Sequence, residues 1–185
     1  PAPAVDEALR ARMGATAVAV AQAIEYVGAG TVEFLLGAEG KFYFLEMNTR
    51  LQVEHPVTEM ITGLDLVAWQ LDIASGDPLP LTQDQIEFQG HAIEVRLYAE
   101  DPYKDFLPQT GPVVAWRPSP NVRVATGIAE GQEITPFYAP LVAKVISHGR
   151  TREGARHRFP RGLDGTVLLV VTNNPVLHGV LLCHE

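Results

Sequence analysis

The sequence predicts an α+β fold in two parts, the first with helices around an antiparallel strand pair and the second built mostly from strands. Three observations support this. Residues 6–24 carry apolar side chains at three- and four-residue spacing, which is typical of a helix. Residues 30–48 form two strand-like runs around a turn that contains glycine. After residue 90, short β-rich runs alternate with turn residues. We expect the two parts to be residues 1–76 and 77–185.

Helix signals flank the strand pair in the first part. Asp6 can cap the first helix, because an Asp side chain accepts hydrogen bonds from backbone N–H groups of the first turn. The apolar face of this helix, which we interpret as a packing element, contains Leu9, Met13, Ala17, Val20 and Ile24. Pro56 suits the first turn of a short helix that Gly63 ends. Asp65 can cap a further helix that stops at Gly76.

The second part begins after a connector at residues 77–89. Its strand candidates are residues 91–98, 113–117, 122–126, 141–147 and 166–171. Residues 151–159 start like a helix, but Pro160, Gly162 and Gly165 are expected to break it because neither residue type suits a helix interior. Residues 173–185 show no clear periodicity.

Polar side chains alternate with apolar ones along residues 42–55. They occupy the even positions, namely Glu46, Asn48, Arg50, Gln52 and Glu54. Because side chains alternate faces along a strand, these residues would share one side of an extended segment. Fully extended, Glu46 and Glu54 would lie about 26 Å apart, too far for one site. We therefore expect the chain to bend after Asn48.

The preceding strand adds a second carboxylate. If the turn pairs Leu36 with Lys41, Glu33 lies opposite Phe44 and Glu46 is its diagonal neighbour on the same face, within reach of a long side chain. Two such carboxylates repel each other unless a cation lies between them. The residues leave two interpretations open: a divalent metal site, or a hairpin with two unrelated surface glutamates.

Composition limits the function classes. The net charge of −8 and the absence of a Lys/Arg block argue against nucleic-acid binding. No apolar run is long enough to cross a membrane. The single Cys183 excludes an internal disulfide and fits a reducing compartment, the cytoplasm or the mitochondrial matrix of a eukaryote. The chain opens on Pro-Ala-Pro-Ala without a Met, so we expect it to be a piece of a longer protein.

Common site motifs are missing from the sequence, including a phosphate loop with Lys, a dinucleotide fingerprint, zinc-ligand spacing and a Ser or Cys nucleophile beside a base. The polar face remains. Carboxylates with Asn48 suit magnesium, which in enzymes usually accompanies a phosphate substrate. Arg50 could hold an anion with its guanidinium fork. Glu54 beside it would then be a candidate base.

Three segments resemble biotin carboxylase, the ATP-grasp module of the biotin-dependent carboxylases: residues 28–35, 44–59 and 90–102. The sequence at residues 9–14 and 67–71 is most similar to that of the α subunits of methylcrotonyl-CoA and related acyl-CoA carboxylases. The resemblance implies that residues 1–76 are the C-terminal part of an ATP-grasp domain. It implies that residues 77–185 are a biotin carboxylase C-terminal domain.

The resemblance also implies residue roles. Mg²⁺ or Mn²⁺ bridging the ATP phosphates would be bound by Glu33, Glu46 and Asn48, and the first two would also contact the nucleotide. Leu35 would lie under the adenine. Bicarbonate would be held by Arg50, Gln52 and the backbone of Val53. Glu54 would deprotonate it for attack on the γ-phosphate, giving carboxyphosphate, and Arg96 would stabilise the biotin enolate. The catalytic residues implied are Glu54, Arg50 and Arg96.

The sequence departs from the family in several places. The nucleotide-gripping lysines and a catalytic lysine would lie upstream of residue 1. The family normally has Asp where Ala139 stands, and often an acid at Ala125. No biotin-attachment Met-Lys-Met motif is present, so the carrier must lie elsewhere. Implied partners are a biotin carboxyl carrier domain, a carboxyltransferase subunit and a second copy in a homodimer.

The sequence leaves two alternatives to this function. The chain could be a non-catalytic assembly or dimerisation fragment, because the missing lysines leave an incomplete site. It could belong to another ATP-grasp ligase of the carbamoyl phosphate synthetase type, which shares the Glu…Glu-x-Asn pattern. The Arg-Leu-Gln-Val-Glu-His run at residues 50–55 fits the bicarbonate pocket of biotin enzymes more closely. In isolation the chain is expected to be inactive.

Overall fold

The computed structural model describes residues 2–169 and confirms the predicted α+β class. The helices of this range are α1 (Glu7–Ala23), α2 (His55–Thr62), α3 (Leu66–Ala74) and α4 (Arg152–Asp164). The strands are β1 (Thr31–Leu36), β2 (Phe42–Asn48), β3 (His91–Tyr98), β4 (Glu100–Asp101), β5 (Leu107–Pro108), β6 (Gly111–Pro112), β7 (Ala115–Arg117), β8 (Arg123–Thr126), β9 (Glu133–Ile134), β10 (Leu141–Gly149) and β11 (Val167–Leu169). Two short 3₁₀ turns cover Ala38–Gly40 and Gln83–Gln85.

The described chain forms two compact units. The first contains residues up to 55 together with 64–86, and the second contains residues 56–63 together with those from 87 onward. Most of α2 therefore belongs with the second unit although it interrupts the first in sequence. The predicted domain boundary between residues 76 and 77 stays a proposal.

Helix capping in the first unit follows the predicted signals. The Asp6 carboxylate accepts a hydrogen bond from the Leu9 N–H at 2.8 Å, so α1 begins where the sequence indicates. The Asp65 carboxylate accepts from the Ala68 N–H at 2.9 Å and starts α3 in the same way. Helix α3 ends before Gly76, whose φ of 96° lies in the left-handed region that favours glycine.

Strands β1 and β2 form an antiparallel hairpin whose register differs from the predicted one. Leu36 pairs with Phe42, so the expected pairing with Lys41 is wrong. The reason lies in the turn, where the Gly37 N–H donates to the Lys41 carbonyl at 2.7 Å and places Lys41 opposite Gly37 rather than Leu36. A bulge then follows between Glu33 and Phe34. Together the turn and the bulge set which side chains face each other.

The second unit is organised around a three-stranded antiparallel sheet in the order β3–β10–β8. One face of this sheet and helix α4 enclose the main apolar core. Its buried members are Leu97, Ala99, Val113, Trp116, Ile134, Val142, Ala143, Val145, Phe159 and Leu163. Val95, Leu97 and Val145 face this core. Because side chains alternate along a strand, Glu94, Arg96 and Lys144 point to the opposite face of the sheet.

Helix α4 corrects a second expectation. The helix continues through Pro160 and Gly162 to Asp164, although both residues were expected to break it. Phe159 is fully buried and Leu163 nearly so, and this packing outweighs the backbone hydrogen bond that Pro160 cannot donate. Glycine at position 162 has a packing reason, because a Cβ atom there would collide with the Val122 side chain.

Helix α2 packs within the second unit. Its buried residues are Pro56, Glu59 and Ile61. The Gln89 N–H donates to the Ile61 carbonyl at 2.7 Å, and the helix ends before Gly63, which has a φ of 74°. In the described range, no helix combines the length and apolarity needed to cross a membrane.

The strands predicted in the second part are confirmed, with shifted ends. Observed strands β7, β8 and β10 lie within or overlap residues 113–117, 122–126 and 141–147. Strand β11 covers part of the run 166–171, of which residues 170 and 171 lie outside the described residues. The tail at 173–185 lies outside them as well.

Candidate functional site

Two carboxylates meet on one face of the β1–β2 hairpin. Glu33 and Glu46 are direct cross-strand partners rather than diagonal ones, because the register is shifted from the expected one and a bulge that was not expected lies between Glu33 and Phe34. The Asn48 Nδ2 atom donates to Glu33 Oε1 at 2.8 Å and to Glu46 Oε1 at 3.1 Å. One amide group therefore lies between both carboxylates, so the two acids share a single small site.

The chain after β2 returns to this pair. Strand β2 ends at Asn48, as the predicted bend requires, and the Gln52 Nε2 atom donates to Glu33 Oε1 at 2.8 Å. The Arg50 Nη2 atom donates to Asn48 Oδ1 at 3.2 Å, and its Nη1 atom donates to the Leu51 carbonyl at 3.4 Å. The fold thus brings Glu33, Glu46, Asn48, Arg50 and Gln52 into one hydrogen-bonded group.

The chemistry of this group fits a hard cation. Directly opposed like charges destabilise a strand pair, and the donor hydrogens of Asn48 relieve that repulsion only in part. Carboxylate oxygens that meet at one amide group suit Mg²⁺, and the Asn48 amide could present its oxygen by turning over. Among residues 2–169, no group of three or more His, Cys, Asp and Glu side chains is placed to hold a metal. The protein ligands would therefore be two acids and an amide, with substrate oxygens completing the set.

Two further predicted residues, Val53 and Glu54, occupy the turn that precedes α2. The His55 N–H donates to the Gln52 carbonyl at 3.2 Å and closes this turn. The Glu54 side chain is exposed. On β1, Leu35 is 57% exposed, so its apolar surface is available for contact. The roles assigned to these three residues stay predictions.

Arg96 lies in the second unit, on β3. It is half-buried, and its Nη1 atom lies 3.5 Å from the Tyr98 hydroxyl, to which it donates. Its direct cross-strand partner on β10 is Lys144. Two cations are therefore neighbours on the sheet face opposite the apolar core.

The surroundings of Lys144 contain charged residues that sequence reasoning passed over. Burial lowers the pKa of Lys144 below its ordinary value, and the Arg123 and Arg96 cations lower it further, whereas Glu94 and Glu59 oppose the shift. The Arg123 Nη2 atom lies 2.6 Å from Glu59 Oε2, and the Glu59 side chain is only 3% exposed. The sequence signal that could have indicated this charged region is the single lysine within the largely apolar run 141–147.

A pocket of about 300 Å³ adjoins Lys144 in the second unit. It is lined by Ala125, Thr126, Gly127, Leu141, Val142, Ala143 and Lys144. Ala125 lies directly across the strand pair from Lys144, at a position where the family resemblance often has an acid. The alanine leaves this pocket without a carboxylate at that position.

The lowered pKa of Lys144 predicts a pH-dependent stability difference. The folded protein releases the Lys144 proton at a lower pH than the unfolded chain does, so the cost of the charged form is present below the folded pKa and is relieved as the pH rises. Relative to a Lys144→Met variant, the wild-type protein should gain stability between that lowered pKa and 10.5. Urea unfolding monitored by tryptophan fluorescence, to which Trp116 contributes from a site where it is 9% exposed, measures this difference.

A Lys104→Met variant controls for the loss of a lysine, because the Lys104 side chain is 72% exposed. Parallel pH curves for the wild type and Lys144→Met would contradict the expected shift.

Comparison with protein families finds two matching models. Residues 1–82 match the ATP binding domain of the carbamoyl-phosphate synthase L chain, and residues 94–185 match the biotin carboxylase C-terminal domain. The first of these ranges contains the hydrogen-bonded group around Glu33 and Glu46, and the second contains Arg96.

Curated relatives share about half of the aligned residues. The α subunit of mitochondrial methylcrotonoyl-CoA carboxylase from Rattus norvegicus is 52% identical over 158 residues, covering 84% of this chain and 22% of the relative. A biotin carboxylase from Halalkalibacterium halodurans is 51% identical over 184 residues, covering 98% of this chain and 40% of the relative. The chain thus spans about a fifth to two fifths of the length of these relatives.

A solved structure gives the same result at the level of fold. The biotin carboxylase domain dimer of 2-oxoglutarate carboxylase from Hydrogenobacter thermophilus, in complex with MgADP, ADP and bicarbonate, is 39% identical with a TM-score of 0.94. The match covers all of this chain and 41% of that one.

Proposed function

Because the chain belongs to the biotin carboxylase family, we propose that it is part of an ATP-dependent ligase that uses MgATP and bicarbonate to carboxylate biotin. The observation that carries the proposal is the contact of Glu33 and Glu46 with a single Asn48 amide. This arrangement supports the proposal because it brings together the kind of hard oxygen ligands that a metal-bound triphosphate would need.

The first role of these residues is to orient the nucleotide. Glu33, Glu46 and Asn48 would hold Mg²⁺, which when bound supplies positive charge against the phosphate oxygens of ATP. The Gln52 amide, which donates to Glu33, restrains that carboxylate and would keep it oriented for a bound metal. Leu35 would offer its exposed side chain to the adenine ring.

The second role is to bind and activate bicarbonate. Arg50 provides a guanidinium fork suited to a planar oxyanion, and Gln52 and the backbone of Val53 add donors. Glu54 would accept the bicarbonate proton, so that the resulting oxyanion can attack the γ-phosphate of ATP, forming carboxyphosphate as the bond to the leaving ADP breaks. The hydrogen bond from Arg50 to Asn48 supports this assignment, since it links the bicarbonate residues to the metal residues.

The third role belongs to Arg96. Carboxyphosphate would break down to CO₂ and phosphate, and the phosphate would take the ureido proton of biotin. The Arg96 guanidinium would stabilise the negative charge that develops on the biotin oxygen before the ureido nitrogen adds to CO₂. Arg96 is half-buried on β3, so water screens its charge less than that of a fully exposed arginine.

The biotin group would be carried on a separate carrier domain and passed to a carboxyltransferase subunit, with the parent protein acting as a homodimer. The dimer named for the Hydrogenobacter thermophilus structure supports the last point. We favour a methylcrotonyl-CoA type of carboxylase, supported by the rat relative, and a location in the cytoplasm or, in a eukaryote, the mitochondrial matrix.

A non-catalytic assembly role is the second candidate. It is favoured by the exposed apolar side chains of the β1–β2 hairpin, such as Tyr43, Phe44 and Leu45, which are between 50% and 57% exposed. Such side chains often mark a surface that another segment or chain covers. A synthetase of the carbamoyl phosphate type is disfavoured because residues 94–185 match the biotin carboxylase model.

Phosphate release measures the proposed function directly. With MgATP, bicarbonate and free biotin, the full-length parent should release phosphate in a manner that depends on both bicarbonate and biotin. The isolated chain should show no detectable turnover, because it contains only part of the residues that position the nucleotide. A parent without biotin-dependent turnover would overturn the proposal. Turnover by the isolated chain would overturn its assignment as an inactive part.

A further inference from the structure

The face of the β3–β10–β8 sheet that lies opposite the apolar core carries a group of charges. Arg96 on β3 and Lys144 on β10 are direct partners in one row. In the adjacent row, Ile146 on β10 pairs with Glu94 on β3 and with Arg123 on β8. Directly paired residues and residues two apart on a strand share a face, so these side chains all project from the same side of the sheet.

The two cations in the first row require compensation. Like charges directly opposite each other on neighbouring strands destabilise the pair. Glu94 lies two residues from Arg96 on the same face, and it is the strongest of the carboxylates that attract Lys144. Both carboxylate oxygens of Glu94 are shielded from solvent. A shielded carboxylate interacts strongly with nearby cations because water does not screen it.

The second row has its own charge balance. Arg123 forms a 2.6 Å ion pair with the buried Glu59 carboxylate from α2. Glu59 is thus engaged by Arg123, and Glu94 is the acid that lies nearest in sequence and register to the Arg96–Lys144 pair. On its other side along β3, Arg96 donates to the Tyr98 hydroxyl at 3.5 Å. Arg96 thus has a carboxylate and a hydroxyl as same-face neighbours on its own strand and a cation across from it.

We propose that Glu94 is a positioning residue for Arg96: its carboxylate offsets the repulsion from Lys144 and fixes the guanidinium for contact with anionic biotin. The inference rests on the proposed function, in which Arg96 contacts biotin. With Glu94 neutral, Lys144 repels the Arg96 guanidinium across the strand pair, and biotin meets a displaced cation. Binding of ATP and bicarbonate involves other residues and is unaffected.

Steady-state kinetics of a Glu94→Gln variant of the full-length parent protein test this inference. The KM for free biotin should rise about 10-fold, within the coupling range of contacting charged residues, while the KM for ATP and for bicarbonate stays unchanged. Glu133→Gln is the matched control, because it removes an exposed carboxylate from β9 in the same unit. It should behave like the wild type.

A charge-balanced double variant separates positioning from a general structural role. Adding Lys144→Met to Glu94→Gln removes the repulsion that Glu94 offsets, so the KM for biotin should return toward the wild-type value. A structural defect would instead worsen with the second substitution. Failure of Lys144→Met to restore biotin binding would overturn the inference, as would equal rises in the KM for biotin and for ATP.

Glu94→Asp provides a second route if Glu94→Gln does not fold. It keeps the charge on a shorter side chain and should raise the KM for biotin by a smaller factor, and an unchanged KM would contradict the inference. The proposed function fails separately, since a wild-type parent without biotin-dependent turnover would refute it. An active wild type with an unaltered Glu94→Gln variant refutes only the positioning role.

Discussion

A Glu46→Gln substitution in the full-length parent protein is expected to lower magnesium-dependent ATP cleavage by about 100-fold or more, since even residues that only support metal ligands typically contribute 10- to 100-fold. Glu46 and Glu33 accept hydrogen bonds from the same Asn48 amide, so the substitution leaves only one carboxylate at the shared position. A titration of ATP cleavage with Mg²⁺ should show that the variant requires a higher metal concentration.

Stability should respond differently from activity in the same variant. Glu33 and Glu46 are direct cross-strand partners, and opposed like charges destabilise a strand pair. Removing one of these charges should therefore leave thermal stability unchanged or slightly higher while activity falls. A loss of both would indicate a structural role for Glu46 rather than a metal role.

The matched control for this experiment is Glu39→Gln. Glu39 lies in the turn of the same hairpin, where its carboxylate is 78% exposed and pairs with Lys41 at 3.4 Å. Exposed pairs of this kind contribute little to stability, so the control should retain both stability and activity. Normal magnesium dependence in Glu46→Gln would remove Glu46 from the metal site.

Local signals in the sequence were sufficient to predict much of the fold. The caps at Asp6 and Asp65 depend only on residues three positions away, and both helices begin where these residues indicate. The bend after Asn48 was expected because a fully extended chain would place Glu46 and Glu54 too far apart for one site, and β2 does end at Asn48. Such features are predictable because the interacting groups are close in sequence.

Features that depend on distant contacts were not predictable in the same way. The direct pairing of Glu33 with Glu46 depends on a bulge after Glu33 that has no distinct signal in the sequence. Helix α4 continues through Pro160 because Phe159 and Leu163 are buried in the core, and propensity alone argues the opposite. Propensity is a weak indicator where tertiary packing is strong.

The candidate site likewise has one part that a local sequence pattern indicates and another that depends on distant contacts. The even-numbered polar residues from Glu46 to Gln52 were visible as a pattern, and the hairpin brings them to Glu33. The charges around Arg96 were not, because Glu59 and Arg123 are separated by 64 residues and meet only in the folded chain. A single strand sequence cannot indicate which distant charge lies opposite it.

Arg96→Ala is expected to lower kcat/KM for biotin by about 100- to 1000-fold, the usual effect of removing a donor that stabilises a developing oxyanion. Binding of MgATP, measured by calorimetry on the full-length parent protein, should be unchanged because the ATP residues belong to the β1–β2 hairpin. Arg96→Lys keeps the charge but loses the guanidinium fork, so it should recover only part of the lost activity.

Arg117→Ala is the control for this substitution, because it removes an exposed arginine from β7 in the same unit. It should leave biotin kinetics unchanged. Truncating Arg96 also removes the Tyr98 contact and leaves Lys144 opposite a small side chain, which relieves repulsion across the β3–β10 pair. The variant should therefore remain folded, and simultaneous loss of MgATP binding would show that Arg96 supports the fold instead of biotin chemistry.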